Sequence, residues 1–214
     1  MKLKLVLITV LAFGCMAHAQ GFMSNLSLGV GGQGIFPAAT TTKDTANITG
    51  FPTTQSTTDS VGVVVGARYD FGRHSALDAS FTLNRDSEVF FNSYQTTTRV
   101  QTNNFEIIGN YIFRLPSNEH VKPYAMFGGG MVRFGPNNDF NTVGTPGSQM
   151  KPAFDYGFGT DFKINDHWAL RLQYRGLIRS DPDFKLASSD PTADFGTGLK
   201  THVPEPSIQL VYHF

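Results

Sequence analysis

The sequence predicts an all-β fold, an eight-stranded antiparallel up-and-down β-barrel that spans a membrane. Three observations carry this. An aromatic-x-Phe phrase recurs at Tyr69-Asp70-Phe71, Tyr111-Ile112-Phe113 and Tyr212-His213-Phe214, with a degenerate copy at Thr160-Asp161-Phe162. Each internal copy precedes a short polar turn (Gly72-Arg73-His74, residues 116–120, Asn165-Asp166-His167) and a fresh alternating run. Within most runs, one face is apolar and free of charge. Aromatics at one level of successive strands are what a transmembrane barrel places at the water interface.

The chain opens with Lys2 and Lys4, then an apolar stretch over residues 5–13 that is too short to span a bilayer, then the small-x-small site Ala17-His18-Ala19. Residues 1–19 are expected to be a cleaved secretory signal peptide and residues 20–214 the barrel domain. Gly14-Cys15 is half of a lipidation box, but Ala12 and Phe13 match poorly what should precede it. Cleavage removes the single cysteine, and with it any disulfide or thiol chemistry. Without Lys2 and Lys4, 15 of the 17 basic residues face 17 acidic ones, a balance that offers nothing to nucleic acid.

The strands follow in order. The first, over residues 25–36, sets Leu26, Leu28 and Val30 against Ser27, Gly29, Gly31 and Gln33. The second sets Val61, Val63, Val65, Ala67, Tyr69 and Phe71 against Ser60, Gly62, Gly66, Arg68 and Asp70. In the third, Leu77, Ala79, Phe81 and Leu83 oppose Asp78, Ser80, Thr82 and Asn84. The fourth opposes Phe105, Ile107, Tyr111 and Phe113 to Asn104, Glu106, Asn110 and Arg114. The fifth, over residues 121–134, has no assignable facing because Gly128-Gly129-Gly130 blurs it. The sixth sets Phe154, Tyr156, Phe158, Phe162 and Ile164 against Asp155, Asp161 and Lys163. In the seventh, Trp168, Leu170, Leu172 and Tyr174 oppose Arg171, Gln173 and Arg175. The eighth alternates Pro206, Ile208, Leu210, Tyr212 and Phe214 with Ser207, Gln209, Val211 and His213.

A soluble β-sandwich has the same period of two. It differs in which face carries charge, since its outer face is charged whereas a barrel's lipid face is not. A mid-membrane Arg or Lys on that face would cost ~2–4 kcal/mol. The apolar faces here are aromatic-rich and uncharged, which favours lipid. Tyr69, Phe71, Tyr111, Phe113, Phe162 and Trp168 then form an aromatic girdle on the side of the short turns, the periplasmic side. Long connections over residues 37–58, 92–98, 135–151 and 179–202 lie at the outer end.

Eight such strands behind an export signal, with the terminal pattern Ile208-x-Leu210-x-Tyr212-x-Phe214, resemble the small outer-membrane β-barrels of the OmpA/OmpX type over nearly all of residues 20–214. The resemblance implies a bacterial outer-membrane location, contact with outer-membrane lipid and lipopolysaccharide, and a monomeric barrel. The terminal pattern is similar to the signal read by the barrel-assembly machinery. The sequence stops at the eighth strand, so a peptidoglycan-gripping second domain is not expected.

Function has to lie in the lumen and loops. The inward charges Arg68, Arg114, Lys163, Arg171 and Arg175 balance Asp70, Asp78, Glu106, Asp155 and Asp161. An eight-stranded barrel is wide enough only for side chains to fill it. Opposite charges there should pair, because an unpaired buried charge is costly. Hairpin register predicts Asp161 opposite Arg171, and Arg68 rather than Asp70 opposite Asp78, since like charges facing each other destabilise a ladder. The network Arg68, Asp78, Glu106, Asp155, Asp161, Arg171 and Arg175 is therefore read as a polar plug. A small-solute or gated ion channel is the alternative, although a selective pore more often shows one dominant sign.

Other chemistry finds little support. His74, His120, His167 and His213 share one rim but belong to different hairpins, so convergence on a metal is not expected. Asp181, Asp183, Asp190 and Asp194 lack the regular spacing of a cation loop. His202 and Ser207 are the one pair near the outer rim that could be cast as a lipid-modifying catalytic pair. No Gly-x-Ser-x-Gly elbow accompanies them and no third carboxylate can be named. A non-enzymatic barrel without cofactor is the expectation.

Overall fold

The computed structural model describes residues 23–41, 54–91, 97–137, 146–184 and 198–214. The expected signal peptide with Cys15, and the loop residues Asp190 and Asp194, lie outside them. The described residues form ten strands: β1 (Leu26–Ile35), β2 (Thr40–Thr41), β3 (Thr54–Thr57), β4 (Ser60–Asp70), β5 (Ser75–Phe91), β6 (Thr97–Arg114), β7 (Val121–Pro136), β8 (Gln149–Lys163), β9 (Trp168–Ser180) and β10 (Lys200–His213). Eight of them, β1 and β4 to β10, each pair antiparallel with two others of the eight. β1 pairs with both β4 and β10, and β5 with both β4 and β6, so the sheet closes on itself.

Alternation along each strand builds the wall inside out relative to a soluble protein. In β5, Ala76, Asp78, Ser80, Thr82 and Asn84 are buried while Leu77 and Leu83 are more than half exposed. Val61 on β4 is 78% exposed and Phe158 on β8 is 64% exposed. Branched and aromatic residues presented outward with polar ones inside define a lipid-facing barrel.

Turn chemistry sets the register. Phe71 N–H donates to the Ser75 carbonyl (3.2 Å) and Ile164 N–H to the Trp168 carbonyl (2.9 Å). The Asn165 side chain accepts from the His167 and Trp168 amides, both at 2.9 Å, an Asx turn that stops the reversal at three residues. Arg68 consequently lies opposite Asp78, and Asp161 opposite Arg171, as the hairpin argument requires.

The facing of β7, unassignable from the sequence, is resolved by packing. Tyr124, Met126, Val132 and Phe134 are buried inside, and Phe127 and Met131 point outward. The glycine run exists because β7 presses close to β6. A Cβ on Gly130 would run into the Ile107 carbonyl, and one on Gly128 into the Gly109 carbonyl and the Asn110 side chain. At Gly109 the nearest atom would be at 4.0 Å. Gly130→Ala is expected to cost about 1–3 kcal/mol through backbone displacement, and Gly109→Ala to be near neutral. Urea unfolding midpoints of the refolded variants check this.

Two expectations are corrected. The connection over residues 37–58 contains a short hairpin, β2 with β3, and β3 pairs with the outer end of β5. The reason is that β5 runs on to Phe91 while β4 begins only at Ser60, leaving an open edge that β3 occupies. The outer connections are also shorter than expected, because β6 starts at Thr97, β8 at Gln149 and β10 at Lys200, and β9 ends at Ser180. Toward the outer end apolar and polar residues occur on both faces, so the period of two fades although the ladder continues.

Candidate functional site

The site is the barrel interior and its outer mouth. Strand β9 supplies Arg171, Arg175 and Arg179, four residues apart and therefore all on the inner face, stepping up the lumen by about 13 Å each along the strand. All three are buried, and each reaches partners that lie away from β9 around the ring.

At the lowest level Arg171 Nε donates to Asp161 at 2.7 Å, and a second guanidinium nitrogen is 3.6 Å from Asp78. Arg68 Nε donates to Asp78 at 2.9 Å and its Nη1 to Asp161 at 3.2 Å. Two cations and two carboxylates thus alternate in a closed ring joining β4 and β5 to β8 and β9. The Arg68 guanidinium lies 4.3 Å from the centre of the Tyr124 ring, and the Tyr124 hydroxyl donates to Gln173 at 2.8 Å.

One level up, Arg175 is held between two acids. It donates to Glu205 at 2.6 Å, to Glu106 at 2.6 Å and to Ser80 at 3.3 Å. Higher still, Arg179 approaches Glu88 at 3.6 Å and stacks 4.7 Å from the Phe134 ring centre. Glu88 also accepts from Thr57 (2.9 Å) and Gln55 (3.3 Å), so β3 contributes to the mouth. Asp86 accepts from Thr102 (2.5 Å) and Asn104 (2.7 Å).

Around the Arg175 and Arg179 levels an apolar cluster fills the outer half of the lumen and its mouth. Ile35, Phe90, Val100, Val132, Phe134, Leu177, Val203 and Phe184 are buried together. Phe184 reaches it from the loop after β9, and its ring meets Phe90 (6.3 Å) and Phe134 (6.4 Å) edge-on. A strap of Asp181-Pro182-Asp183 holds it. Thr40 donates to Asp181 at 2.6 Å and Thr201 also donates to it, Gln55 donates to the Pro182 carbonyl at 3.0 Å, and Gln149 donates to Asp183. Phe184 sits at φ 51°, a left-handed backbone that bulky residues rarely adopt.

Each of the seven network residues expected from the sequence is buried in the lumen. Six of them join ion pairs; Asp155 is buried in line with Gly128 and Asn110 and is part of none of them. Lys163, expected inward, emerges at the rim and pairs with the turn residue Asp166 at 2.7 Å, which holds the Asp166 carboxyl below its usual range. Arg114 keeps the inward parity of β6 and pairs with Asp70 at 2.5 Å at the turn end, where both line a pocket with Asp161. Among the described residues four buried arginines face eight buried carboxylates, while Arg114, Lys122 and Lys151 share the inward parity but are only part-buried.

Sequence reasoning missed Arg179, Glu88, Asp86, Glu205 and Phe184. The first four were legible in principle, because each continues the inward parity of an assigned strand past its assigned end. Phe184 carries no such signal. His202 and Ser207 are not a catalytic pair. His202 faces outward against Tyr156 (3.0 Å) and Ser207 is buried inside, an odd spacing that puts them on opposite sides of the wall. Among the described residues no group of three His, Cys, Asp or Glu could hold a metal ion. At the turn end Phe71 lies 6.1 Å from Tyr111, and Tyr212 lies 5.0 Å from Trp168 and 5.1 Å from Phe214.

A closed eight-stranded wall with a lipid-facing exterior defines a small transmembrane β-barrel. Residues 5–203 match the family described as outer membrane protein β-barrel domain, and the chain belongs to that family. It is an outer-membrane protein. No curated protein matches it. Among solved structures, the crystal structure of Neisserial surface protein A is similar with a TM-score of 0.56 at 13% identity, covering 89% of this chain and 98% of that one. The solid-state NMR structure of outer membrane protein AlkL in DMPC bilayers has a TM-score of 0.58 at 15% identity, covering 90% and 91%. These likenesses are in fold.

Proposed function

We propose that this protein is a non-enzymatic outer-membrane barrel with a closed, charge-paired lumen, serving envelope structure and surface interaction through its outer loops. The observation that carries the reading is the stack across the lumen: three arginines of β9 tied to carboxylates of β5, β6, β8 and β10, packed at its outer end among the apolar cluster into which Phe184 is strapped. Fully buried ion pairs add little net stability, but they fill a narrow barrel with groups whose separation is costly. Biology then falls to the exposed loops on a rigid wall, where binding residues concentrate. Export with cleavage after Ala19, handover to the barrel-assembly machinery through Ile208, Leu210, Tyr212 and Phe214, and a monomeric state complete the proposal.

A gated cation path is the second reading, favoured by the excess of buried carboxylates over arginines. Single-channel recording in planar bilayers separates the two. The closed-lumen reading expects a silent or weakly flickering wild type. A large, steady, cation-selective conductance would establish the path instead.

A further inference from the structure

On the outward face of β5 to β8 the charged side chains are three arginines, Arg85, Arg99 and Arg133, and no carboxylate faces out among the described residues. They lie at the outer end of the lipid band. Phe105 pairs with Leu83 and with Arg133, and the next outward row up is Arg85, Asn103 and Gly135. Arg85 and Arg133 therefore flank β6 diagonally, about 12 Å apart at the backbone from strand spacing and rise. Arg85 is drawn over β6 by its bond to Gln101 (2.8 Å), so both guanidinium groups can serve one headgroup.

Directly beneath, the wall is hollowed. Gly109 and Gly129 are paired and both face lipid, where neighbouring rows carry large side chains. The result is an open pocket of about 680 Å³, walled by Phe105, Ile107, Met131 and Met150, with Arg133 and Asn103 at its upper lip. The next pair down, Tyr111 and Phe127, closes its floor with rings 5.6 Å apart.

We propose that this face is a binding site for one lipopolysaccharide molecule of the outer leaflet. A phosphate of the lipid A headgroup meets Arg85 and Arg133, and an acyl chain fills the glycine pocket. Cations at the headgroup level with an apolar slot immediately below match an anionic amphiphile in both parts, and bidentate guanidinium–phosphate contacts are among the stronger hydrogen bonds. The end carrying the long loops faces outward, so the leaflet at this height is the one that holds lipopolysaccharide.

The test is native mass spectrometry of the purified full-length mature barrel titrated with lipid A, dephosphorylated lipid A and phosphatidylglycerol, with folding checked by heat-modifiable migration. Wild type is expected to prefer lipid A over its dephosphorylated form by about tenfold or more, the scale of one charge-assisted contact. The double variant Arg85→Gln/Arg133→Gln should abolish that preference. Gly109→Val fills the pocket at a position where an added Cβ finds no close contact, and should weaken both lipid A forms by several fold. Equal wild-type affinity for the two lipid A forms overturns the proposal without need of any variant. Undiminished binding by the double variant, or phosphatidylglycerol bound as tightly as lipid A, overturns it too. A dimer abolished by Gly109→Val would assign the face to a second copy of the chain instead.

Discussion

Arg175→Ala is expected to cost the barrel about 3–5 kcal/mol, at the upper end of what breaking a buried ion pair costs, because two carboxylates lose one cation. Glu106 and Glu205 are both almost fully buried and both bond the same guanidinium at 2.6 Å. Without it they face each other across the lumen, and Ser80 loses its bond to the guanidinium. Urea unfolding of the refolded protein, followed by the fluorescence of the chain's single tryptophan, Trp168, reads the loss. Arg175→Met combined with Glu106→Gln and Glu205→Gln should recover most of it, since the penalty comes from stranded charge rather than lost volume. Arg171→Ala should be milder, because Arg68 still bonds both Asp78 and Asp161. An Arg175→Ala barrel as stable as wild type would mean that water solvates those acids, and the closed-lumen reading would fail.

The second large effect is local. Phe184→Ala should release the strap at a cost of about 3–5 kcal/mol, the usual range for deleting a buried aromatic ring. The loss should appear as opening of the mouth rather than as unfolding of the wall. The amides of Asp183 and Phe184 donate to the Gln149 side chain at 3.2 and 3.3 Å, and Asp181 N–H to the Leu199 carbonyl at 3.1 Å. Hydrogen exchange at these amides should accelerate strongly while amides of β5 and β6 keep their protection, since local openings are independent of the global one. Phe184→Gly loses the same ring but relieves the left-handed backbone, worth about 1 kcal/mol or more at such a position, and so should open less than Phe184→Ala. Bilayer recordings of Phe184→Ala should show more openings than wild type. Unchanged exchange and conductance would show that the ring does not hold the mouth.

Much of this architecture was legible in the chain because two of its rules are local. Side chains alternate with a period of two, so Asp78 and Arg171 could be assigned to the lumen without knowing any neighbour. A short turn ties two adjacent strands together, so Asp161 opposite Arg171 followed from counting residues across a three-residue loop, and Arg68 opposite Asp78 from choosing the register that keeps Asp70 away from Asp78. Where local rules ran out, so did the reading. The glycines of β7 have no side chain to mark a face, and only their close approach to β6 decides which way Tyr124 and Arg133 point. Glu88, Arg179 and Glu205 sit where apolar residues such as Leu177, Val203 and Phe90 also turn inward, so the contrast between the two faces fades.

The sequence by itself determined the closed antiparallel wall, its lipid and lumen faces, and the pairs made across one hairpin. Only the tertiary structure decided which charges meet across the lumen, because Arg175 and Glu106, or Arg179 and Glu88, are brought together by closure of the ring and the stagger of its strands, which depend on every register at once. It also decided that Phe184, a loop residue with no periodic signal, ends in the apolar layer of the mouth. That placement rests on hydrogen bonds from Thr40, Gln55, Gln149 and Thr201, residues scattered along the chain that become neighbours only when the barrel closes.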